Sequence, residues 1–344
     1  MTDDPLSPRV PGVAIVPSTP SAPTAARQYR TLRADRTLRS GASFPSPNTD
    51  ASLTTAFYED PPFLNGHFGP RMGLRPIALD QWLPFAISTA ERERKRALFA
   101  TERARVYRSL TGADAALTDE HRAYGAVRDG AQTWIECIED VAEPPLIRAA
   151  LAIPDDLCVL RQAPGLHGSP GEYRLVAAAL TSPSYWRLGD KLGQALSDIH
   201  RGIAGMPATL LGRMKELFHR LPDDRVLERR NWAVHGSQER FQPEPDRESA
   251  TDDPTLPQER ARNAFDWWIR SERQCLKRLA EGLVVFTIRV ELHPLDAVVE
   301  YPDALRHLTT ALARLAGDNL EEFGGRGKRD AISAALHRLS LADR

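Results

Sequence analysis

The order of the strand-like and helix-like segments constrains the fold of this chain most strongly. Short apolar runs typical of strands occur in groups, without a helix between every two strands. This grouping favours an α+β fold with an antiparallel sheet over a regular βαβ fold. The predicted strands are Thr133–Glu139, Leu157–Gln162, Tyr173–Leu180, Val226–His235 and Gly282–Leu292.

Helix-like periodicity and start signals place helices between and after these strands. Ser88 and Glu91 have the spacing of a capping box, which predicts a helix from there to about Leu110. Prolines mark the starts of two others. The remaining predicted helices are Pro183–His200, Pro207–Arg220, Glu259–Ala280, Asp303–Ala316 and Asp330–Leu341.

Two stretches have the composition of irregular chain. Residues 1–56 carry eight of the 27 prolines within the first 50 positions, and they lack apolar periodicity, so we predict a disordered tail. Residues 242–257 alternate prolines with acidic side chains, which predicts an exposed acidic loop. We therefore expect one folded domain over residues 57–344.

Charge and cysteine content exclude several classes of protein. The 45 basic and 46 acidic side chains give a net charge of −1, which does not fit a general nucleic-acid binder. The apolar runs are shorter than a membrane span needs, and Asp3 and Asp4 are not followed by the apolar core of a secretory signal. Three widely spaced cysteines do not form a disulfide framework. We expect a cytoplasmic protein that does not bind membranes.

Common catalytic motifs are absent from the sequence. There is no GxGxxG, and the glycine-rich segment 324–329 lacks the spacing and the Ser or Thr of a phosphate-binding loop. No HExxH motif or His/Cys cluster occurs among the nine histidines, which argues against a zinc hydrolase.

His200 is the first candidate site residue. On the predicted helix it follows Gly189 and Gly193 along one flank, and these glycines would leave a flat space for a planar macrocycle ligated by the imidazole. The alternative is a histidine stabilised by the dipole of the last helical turn, with glycines that allow close packing. The packed stripe of the same predicted helix is Leu188, Leu192, Ala195 and Ile199.

Glu272 is the second candidate, because it falls at the centre of the apolar face of the predicted helix 259–280. A buried carboxylate needs a cation or a proton. Arg229 or Arg230 and Arg289 lie on predicted strands and could supply that cation. A structural ion pair and a ligand-binding arginine cluster are both consistent with this pattern.

Several separated motifs resemble one family. These motifs are Met72–Pro76 with Trp82-Leu83, Pro183–Trp186, Lys191–Gly193, Ile199-His200, Arg229–Trp232, Arg270–Gln274 and Phe286–Arg289 with Pro294-Leu295. In this order, over about residues 60–320, the chain resembles the heme-dependent oxidative N-demethylase alpha-subunit-like family.

The resemblance implies a heme-binding PAS-like core and a set of site residues. It implies His200 as the axial ligand of the heme iron. If His200 is not the ligand, His235 is the next candidate. It implies that Arg229 lies on the distal side of the heme, a role that Arg230 could take instead. It also implies that Asn231 is a further heme contact. It implies that Arg273 and Arg289 contact the heme propionates. It also implies that Glu272, in the catalytic site, is the counter-ion of these two arginines.

The reaction implied by the resemblance is oxidation of a small secondary amine by dioxygen. A partner reductase with FMN and a 2Fe–2S cluster would supply electrons from NADPH, and a folate-binding partner would capture formaldehyde. The alternatives are a non-catalytic heme PAS sensor of gas or redox state, and a relative without heme. The family's IHxPVPG motif is changed at Ile199–Gly205, where both prolines are lost, so the sequence leaves the amine open.

Overall fold

The computed structural model describes residues 57–64, 68, 72–110, 113–132, 142–165, 171–201, 208–244 and 267–342. Three predictions lie wholly or mainly outside these residues. They are the disordered tail 1–56, the strand 133–139 and the acidic loop 242–257.

Seven strands form one sheet in which every neighbouring pair is antiparallel. Their order across the sheet is β1-β5-β6-β7-β3-β4-β2. The predicted α+β fold with an antiparallel sheet is confirmed. The strands are β1 Arg75–Ile77, β2 Tyr107–Ser109, β3 Asp156–Gln162, β4 Tyr173–Ala179, β5 Val226–His235, β6 Trp268–Leu279 and β7 Leu283–Pro294.

Helices connect and cover the strands, and none in the described part of the chain is long and apolar enough to cross a membrane. Their bounds are α1 Thr89–Thr101, α2 Arg103–Val106, α3 Ala113–Gly130, α4 Pro145–Ala152, α5 Leu188–Lys191, α6 Leu196–Arg201, α7 Ala208–His219, α8 Pro302–Ala313, α9 Gly317–Phe323 and α10 Gly325–Ala342. Short 3-10 turns lie at Leu79–Gln81, Ala280–Gly282 and Leu295–Glu300.

The predicted start of the first helix is confirmed, but its predicted end is wrong. Ser88 Oγ accepts a hydrogen bond from the backbone N–H of Glu91 at 3.1 Å, which caps α1. The helix ends at Thr101, and the chain continues through the short helix α2 into β2, which pairs with β4.

The predicted helix 259–280 is wrong over residues 268–279, which form β6. This strand is paired on both sides, with β5 over ten residues and with β7 over twelve. A central strand buries apolar side chains on both faces, so Trp268, Ile269, Cys275 and Leu276 occupy both. Trp268 and Ile269 form one apolar group and Cys275 and Leu276 form another, with polar residues between them. The distance between the two groups matches the spacing of a helix, which led to the wrong prediction. Tertiary pairing decides its structure.

The predicted helix 183–200 is also wrong, because it is broken in the middle. Gly193 has a left-handed φ of 79°, and its N–H donates to the carbonyl of Leu175 on β4. The link between α5 and α6, which contains Gly193, therefore runs beside β4, and Gly189 lies on α5 and not on the helix of His200. A Cβ at Gly189 would lie 3.5 Å from Arg108, so these glycines do not form the flat space predicted beside His200.

The two faces of the sheet are covered by different helices. The α4 face carries Val159, Cys275 and Val285, which pack with α1, α3 and α4. The α6 face carries side chains that pack with α5, α6 and α7, namely Cys158, Leu160, Leu276 and Val284. Because successive side chains of a strand point to opposite faces, the register assigns every residue of β5, β6 and β7 to one of them.

The C-terminal helices form a further apolar cluster with the sheet. Leu308 on α8, Phe323 on α9 and Ile332 on α10 are buried together with Trp232 of β5 and Ile269 of β6. Gly324 follows α9 with a left-handed φ of 110°, as its glycine-rich sequence indicates for a turn that ends a helix.

Packing on the α4 face predicts opposite effects for two glycines of α3. A Cβ at Gly130 would lie 2.5 Å from Cε3 of Trp82, whose fully buried indole donates from Nε1 to Thr287 Oγ1 at 3.1 Å. We expect Gly130→Ala to lower the free energy of unfolding by about 1–3 kcal/mol through overpacking. The matched control is Gly125→Ala, where a Cβ meets nothing within 4 Å.

For Gly125→Ala we expect an unchanged or increased stability, by up to about 1 kcal/mol, because alanine favours the helix. Urea unfolding of the two variants beside the wild type measures both effects. Equal stabilities of the two variants would contradict the packing of Trp82 against α3.

Candidate functional site

His200 lies in the last turn of α6 with its δ nitrogen engaged. Its Nδ1 lies 2.8 Å from the carbonyl oxygen of Leu196, and a carbonyl only accepts, so Nδ1 carries the proton. Burial lowers the pKa of His200; the bond to Leu196 opposes this, and the positive charges of Arg229 and Lys191 lower the pKa further. At neutral pH the ring is therefore neutral, and the lone pair is on Nε2.

A row of polar side chains crosses the α6 face of β5 and β6. Arg229 donates from Nε to Gln274 Oε1 at 2.6 Å, and Gln274 donates from Nε2 to Glu272 Oε2 at 2.8 Å. Arg270 lies 3.4 Å from the other Glu272 oxygen. These bonds hold the guanidinium of Arg229 on the face that α6 covers.

His200 and Arg229 belong to the same part of the molecule. Leu196 and Ile199 of α6 belong to the same apolar cluster as Leu276 on the α6 face. Arg229 lies two residues along β5 from Leu227, the register partner of Leu276, and so on the same face. The charge of Arg229 is close enough to lower the pKa of His200. The fold thus brings together His200 and Arg229, two predicted site residues that are 29 positions apart in the sequence.

Asn231 also lies on the α6 face, opposite Glu272 in the register of β5 and β6, and its side chain is exposed. Arg230, the alternative to Arg229, points to the opposite face and donates to Asp60 Oδ2 at 3.0 Å. The alternation along β5 therefore separates the two neighbouring arginines.

Arg273 and Arg289 lie on the α4 face, opposite His200. Arg273 donates from Nε to Glu228 at 2.5 Å and from its η nitrogens to the carbonyls of Gln81 and Trp82. Arg289 donates from Nε to Glu291 Oε1 at 2.8 Å. The fold does not bring these two arginines to His200.

The ion pairs on the α4 face involve the buried carboxylate of Glu228 and the half-buried carboxylate of Glu291. Burial raises the pKa of Glu291, but His293 and Arg289 lower it more, to about 2. The guanidinium of Arg289 also lies 3.7 Å from the ring centroid of Phe85. Arg289 is 9% exposed, so its side chain points into the protein, and these contacts hold it on the α4 face.

Glu272 lies on a strand and not on a helix, so its predicted place at the centre of an apolar helix face is wrong. Its cationic partner is Arg270, which is 1% exposed and also donates to the carbonyls of Ser182 and Arg240. The predicted pairing of Glu272 with Arg273 and Arg289 is not formed, because those side chains occupy the other face.

His235 differs from His200 in having both ring nitrogens engaged. Its Nδ1 lies 3.0 Å from Gln242 Oε1, and its Nε2 lies 3.4 Å from Ser184 Oγ. Burial lowers the pKa of His235 to about 3, with a contribution from the charge of Arg270. Its place in this network makes it a weaker candidate ligand than His200.

Sequence reasoning missed Gln274 and Arg270, which hold Arg229 and Glu272. Both stand in the motif Arg270–Gln274, but the helical reading of this segment obscured the period of two. Read as a strand, the same residues place Arg270, Glu272 and Gln274 on one face.

The donor set on the α6 face fits a heme. Among the residues that the structure describes, no group of three or more His, Cys, Asp or Glu side chains could hold a metal ion. A heme iron needs only an axial ligand from the protein, and a neutral imidazole with an available Nε2 is such a ligand. The half-buried Phe286 and Ile288 supply apolar surface on the same face.

The electrostatic contact of Arg229 with His200 gives a direct test of this geometry. We expect the pKa of His200 to lie below its ordinary value of 6.5, and Arg229→Gln to raise it, because a nearby positive charge disfavours the imidazolium. NMR titration of the imidazole in protein without added heme measures this. Arg225→Gln is the control, since the exposed Arg225 pairs with Asp224. An unchanged pKa in Arg229→Gln would contradict the contact.

Comparison with known proteins supports the motif-based resemblance. A search of curated proteins finds no match to the chain. The family model described as "Haem-dependent oxidative N-demethylase, alpha subunit-like" matches residues 127–326, a range that includes His200, β5, β6 and β7. The chain belongs to this family.

Proposed function

We propose that this chain is the heme-binding oxidative subunit of an enzyme that demethylates a small amine. In the overall reaction the bond between nitrogen and a methyl carbon breaks. Dioxygen, two electrons and two protons are consumed, and the products are the demethylated amine, formaldehyde and water. The observation that carries the proposal is the neutral His200, with Nδ1 fixed and Nε2 available, on the same face as Arg229.

We propose a PAS-like core for the central five strands. Numbered along the chain from β3 to β7, they lie in the order second, first, fifth, fourth, third, and helices α5, α6 and α7 connect the second to the third. This strand order supports the proposed PAS-like core. The order supports a ligand held between the sheet and those helices, although a fold alone does not define a function.

His200 would be the axial ligand of the iron through Nε2. The Leu196 carbonyl accepts from Nδ1 and so selects the tautomer and the ring orientation, as the outer partner of a metal-bound histidine does. Because burial keeps the imidazole neutral, little proton competition opposes ligation at neutral pH.

Arg229 would act at the heme site as a hydrogen-bond donor. Its Nε is fixed by Gln274, which is itself held by Glu272, so the guanidinium is oriented before any ligand binds. Donors that need no reorganisation stabilise developing negative charge most effectively. In this proposal Glu272 is a positioning residue that acts through Gln274.

The heme contacts of the chain are then assigned to His200, Arg229 and Asn231. Arg273 and Arg289 keep their ion pairs on the α4 face and receive no heme contact in this proposal. Heme, when bound, supplies the redox chemistry with dioxygen, while the chain supplies binding, orientation and electrostatics.

A second protein would deliver the electrons. The alpha-subunit-like family supports a multi-component enzyme. We propose a reductase that draws electrons from NADPH through FMN and a 2Fe–2S cluster, and a cytoplasmic location where such a reductase works.

Turnover by the heme-loaded chain tests this function. With a chemical reductant and a panel of small N-methylamines, we expect amine-dependent oxygen uptake with formation of formaldehyde. We expect Arg229→Gln to lower kcat at least tenfold, since loss of one oriented donor typically costs 10²–10³-fold. Arg225→Gln is the matched control, because this exposed arginine is outside the site.

Oxygen uptake and a formaldehyde assay measure the two sides of the reaction. Reversible oxygen binding without formaldehyde, with every amine of the panel, would contradict the enzyme and favour a gas sensor.

A further inference from the structure

Lys191 is a half-buried cation at the end of α5, close to His200. Its Nζ donates to the carbonyl oxygen of Ile199, the residue before His200, at 3.4 Å. Its positive charge also contributes to the lowered pKa of His200. The ammonium of Lys191 therefore lies beside the turn of α6 that carries the candidate iron ligand.

The bond to Ile199 uses only part of the hydrogen-bonding capacity of Lys191. A lysine ammonium has three N–H donors, and the bond to Ile199 is longer than the usual N–H···O distance of about 2.9 Å. Within the described part of the chain, Lys191 forms no ion pair and no second hydrogen bond. Since partly buried charges are stabilised by an opposite charge, this environment favours an anionic ligand.

Two neighbouring cations are already paired with carboxylates of the protein. Arg201 at the end of α6 lies 2.6 Å from Asp198. Lys215 on α7 lies 3.1 Å from Glu172. Lys191 differs from both, because its only partner among the described residues is a backbone carbonyl.

A heme carries propionate carboxylates, so its site needs cations as well as an axial ligand. The resemblance implies Arg273 and Arg289 for this role, but both lie on the α4 face in ion pairs with Glu228 and Glu291. The fold therefore keeps them away from a heme held at His200. A cation on the side of α6 is needed in their place.

We propose that Lys191 binds a propionate of the heme whose iron is ligated by His200. This inference rests on the heme binding in the proposed function. Hydrogen bonds between an ammonium and a carboxylate are charge-assisted and about twice as strong as neutral ones. The link between α5 and α6 is held to β4 through Gly193, which fixes the two contacts relative to each other. Together they would set the rotation of the macrocycle about the axis of the iron ligand.

The competing interpretation is that Lys191 only stabilises the end of α6. A cation near the last carbonyls of a helix interacts favourably with the helix dipole, and the bond to Ile199 is of this kind. The two roles differ in what they predict for a heme without propionate charges. A capping lysine stabilises the protein whichever porphyrin is bound, but a propionate contact is lost when the propionates are esterified.

Transfer of heme from the loaded full-length chain to excess apomyoglobin tests this proposal. The samples are the wild type and Lys191→Gln, each loaded with heme or with heme dimethyl ester, which lacks the propionate charges. We expect Lys191→Gln to lose heme about tenfold faster than the wild type, because loss of a hydrogen bond between charged groups weakens binding by about this factor. For the dimethyl ester we expect equal rates in the two proteins.

The matched control is Lys215→Gln, which removes the same charge from the neighbouring helix. The exposed ammonium of Lys215 already pairs with Glu172, so we expect this variant to lose both porphyrins at the wild-type rate. Heme loss from Lys191→Gln at the wild-type rate would overturn the proposal. Loss of heme and of the ester that is faster by the same factor would also overturn it, because that result assigns Lys191 to capping alone.

The absorption spectrum and the amine assay separate this inference from the proposed function. A wild-type heme band with heme loss that is independent of Lys191 overturns the propionate contact alone. Heme loss that depends on Lys191 and on the propionates, in a chain that forms no formaldehyde from any N-methylamine, supports the contact and overturns the oxidative function. A wild type that takes up no heme overturns both.

Discussion

The continuous antiparallel pairing of β5, β6 and β7 is the constraint on which the rest of the structure depends. Ten register pairs join β5 to β6 and twelve join β6 to β7, without an irregularity. A shift by one residue would move every side chain to the other face. The register therefore keeps Arg229, Glu272 and Gln274 together beside α6, and it keeps Arg273 and Arg289 in ion pairs on the other side. The chemistry proposed for the α6 face depends on this separation.

Much of the fold could be predicted from local pattern, and the errors have a common physical cause. A strand with one continuous apolar run, such as the one predicted over Tyr173–Leu180 and found at Tyr173–Ala179, was predicted well because its burial gives a signal within the segment itself. The segment 268–279 was predicted as a helix because two apolar groups flank a polar centre, and only its two partner strands decide that it is extended. The break before α6 likewise depends on a bond from Gly193 to β4, a contact between distant parts of the chain. Non-local pairing is not visible in a single sequence.

The candidate site could be predicted in part. The motifs named His200 and Arg229, and the fold brings both to one face. The same motifs also named Arg273 and Arg289, but a motif does not state which face a strand residue occupies. Once β6 is known to be a strand, alternation alone separates Arg273 from Gln274. The roles of Gln274 and Arg270 as partners of Arg229 and Glu272 needed side-chain contacts that no spacing rule contains.

The central claim is that His200 holds a heme iron, and an absorption spectrum of protein from heme-supplemented cells tests it most directly. The account predicts a Soret band in the wild type that is shifted or lost in His200→Ala. It predicts a retained band in His235→Ala, whose ring nitrogens are engaged by Gln242 and Ser184, and in the exposed control His337→Ala. A wild-type band that is unchanged in His200→Ala, or no band in the supplemented wild type, would contradict the claim.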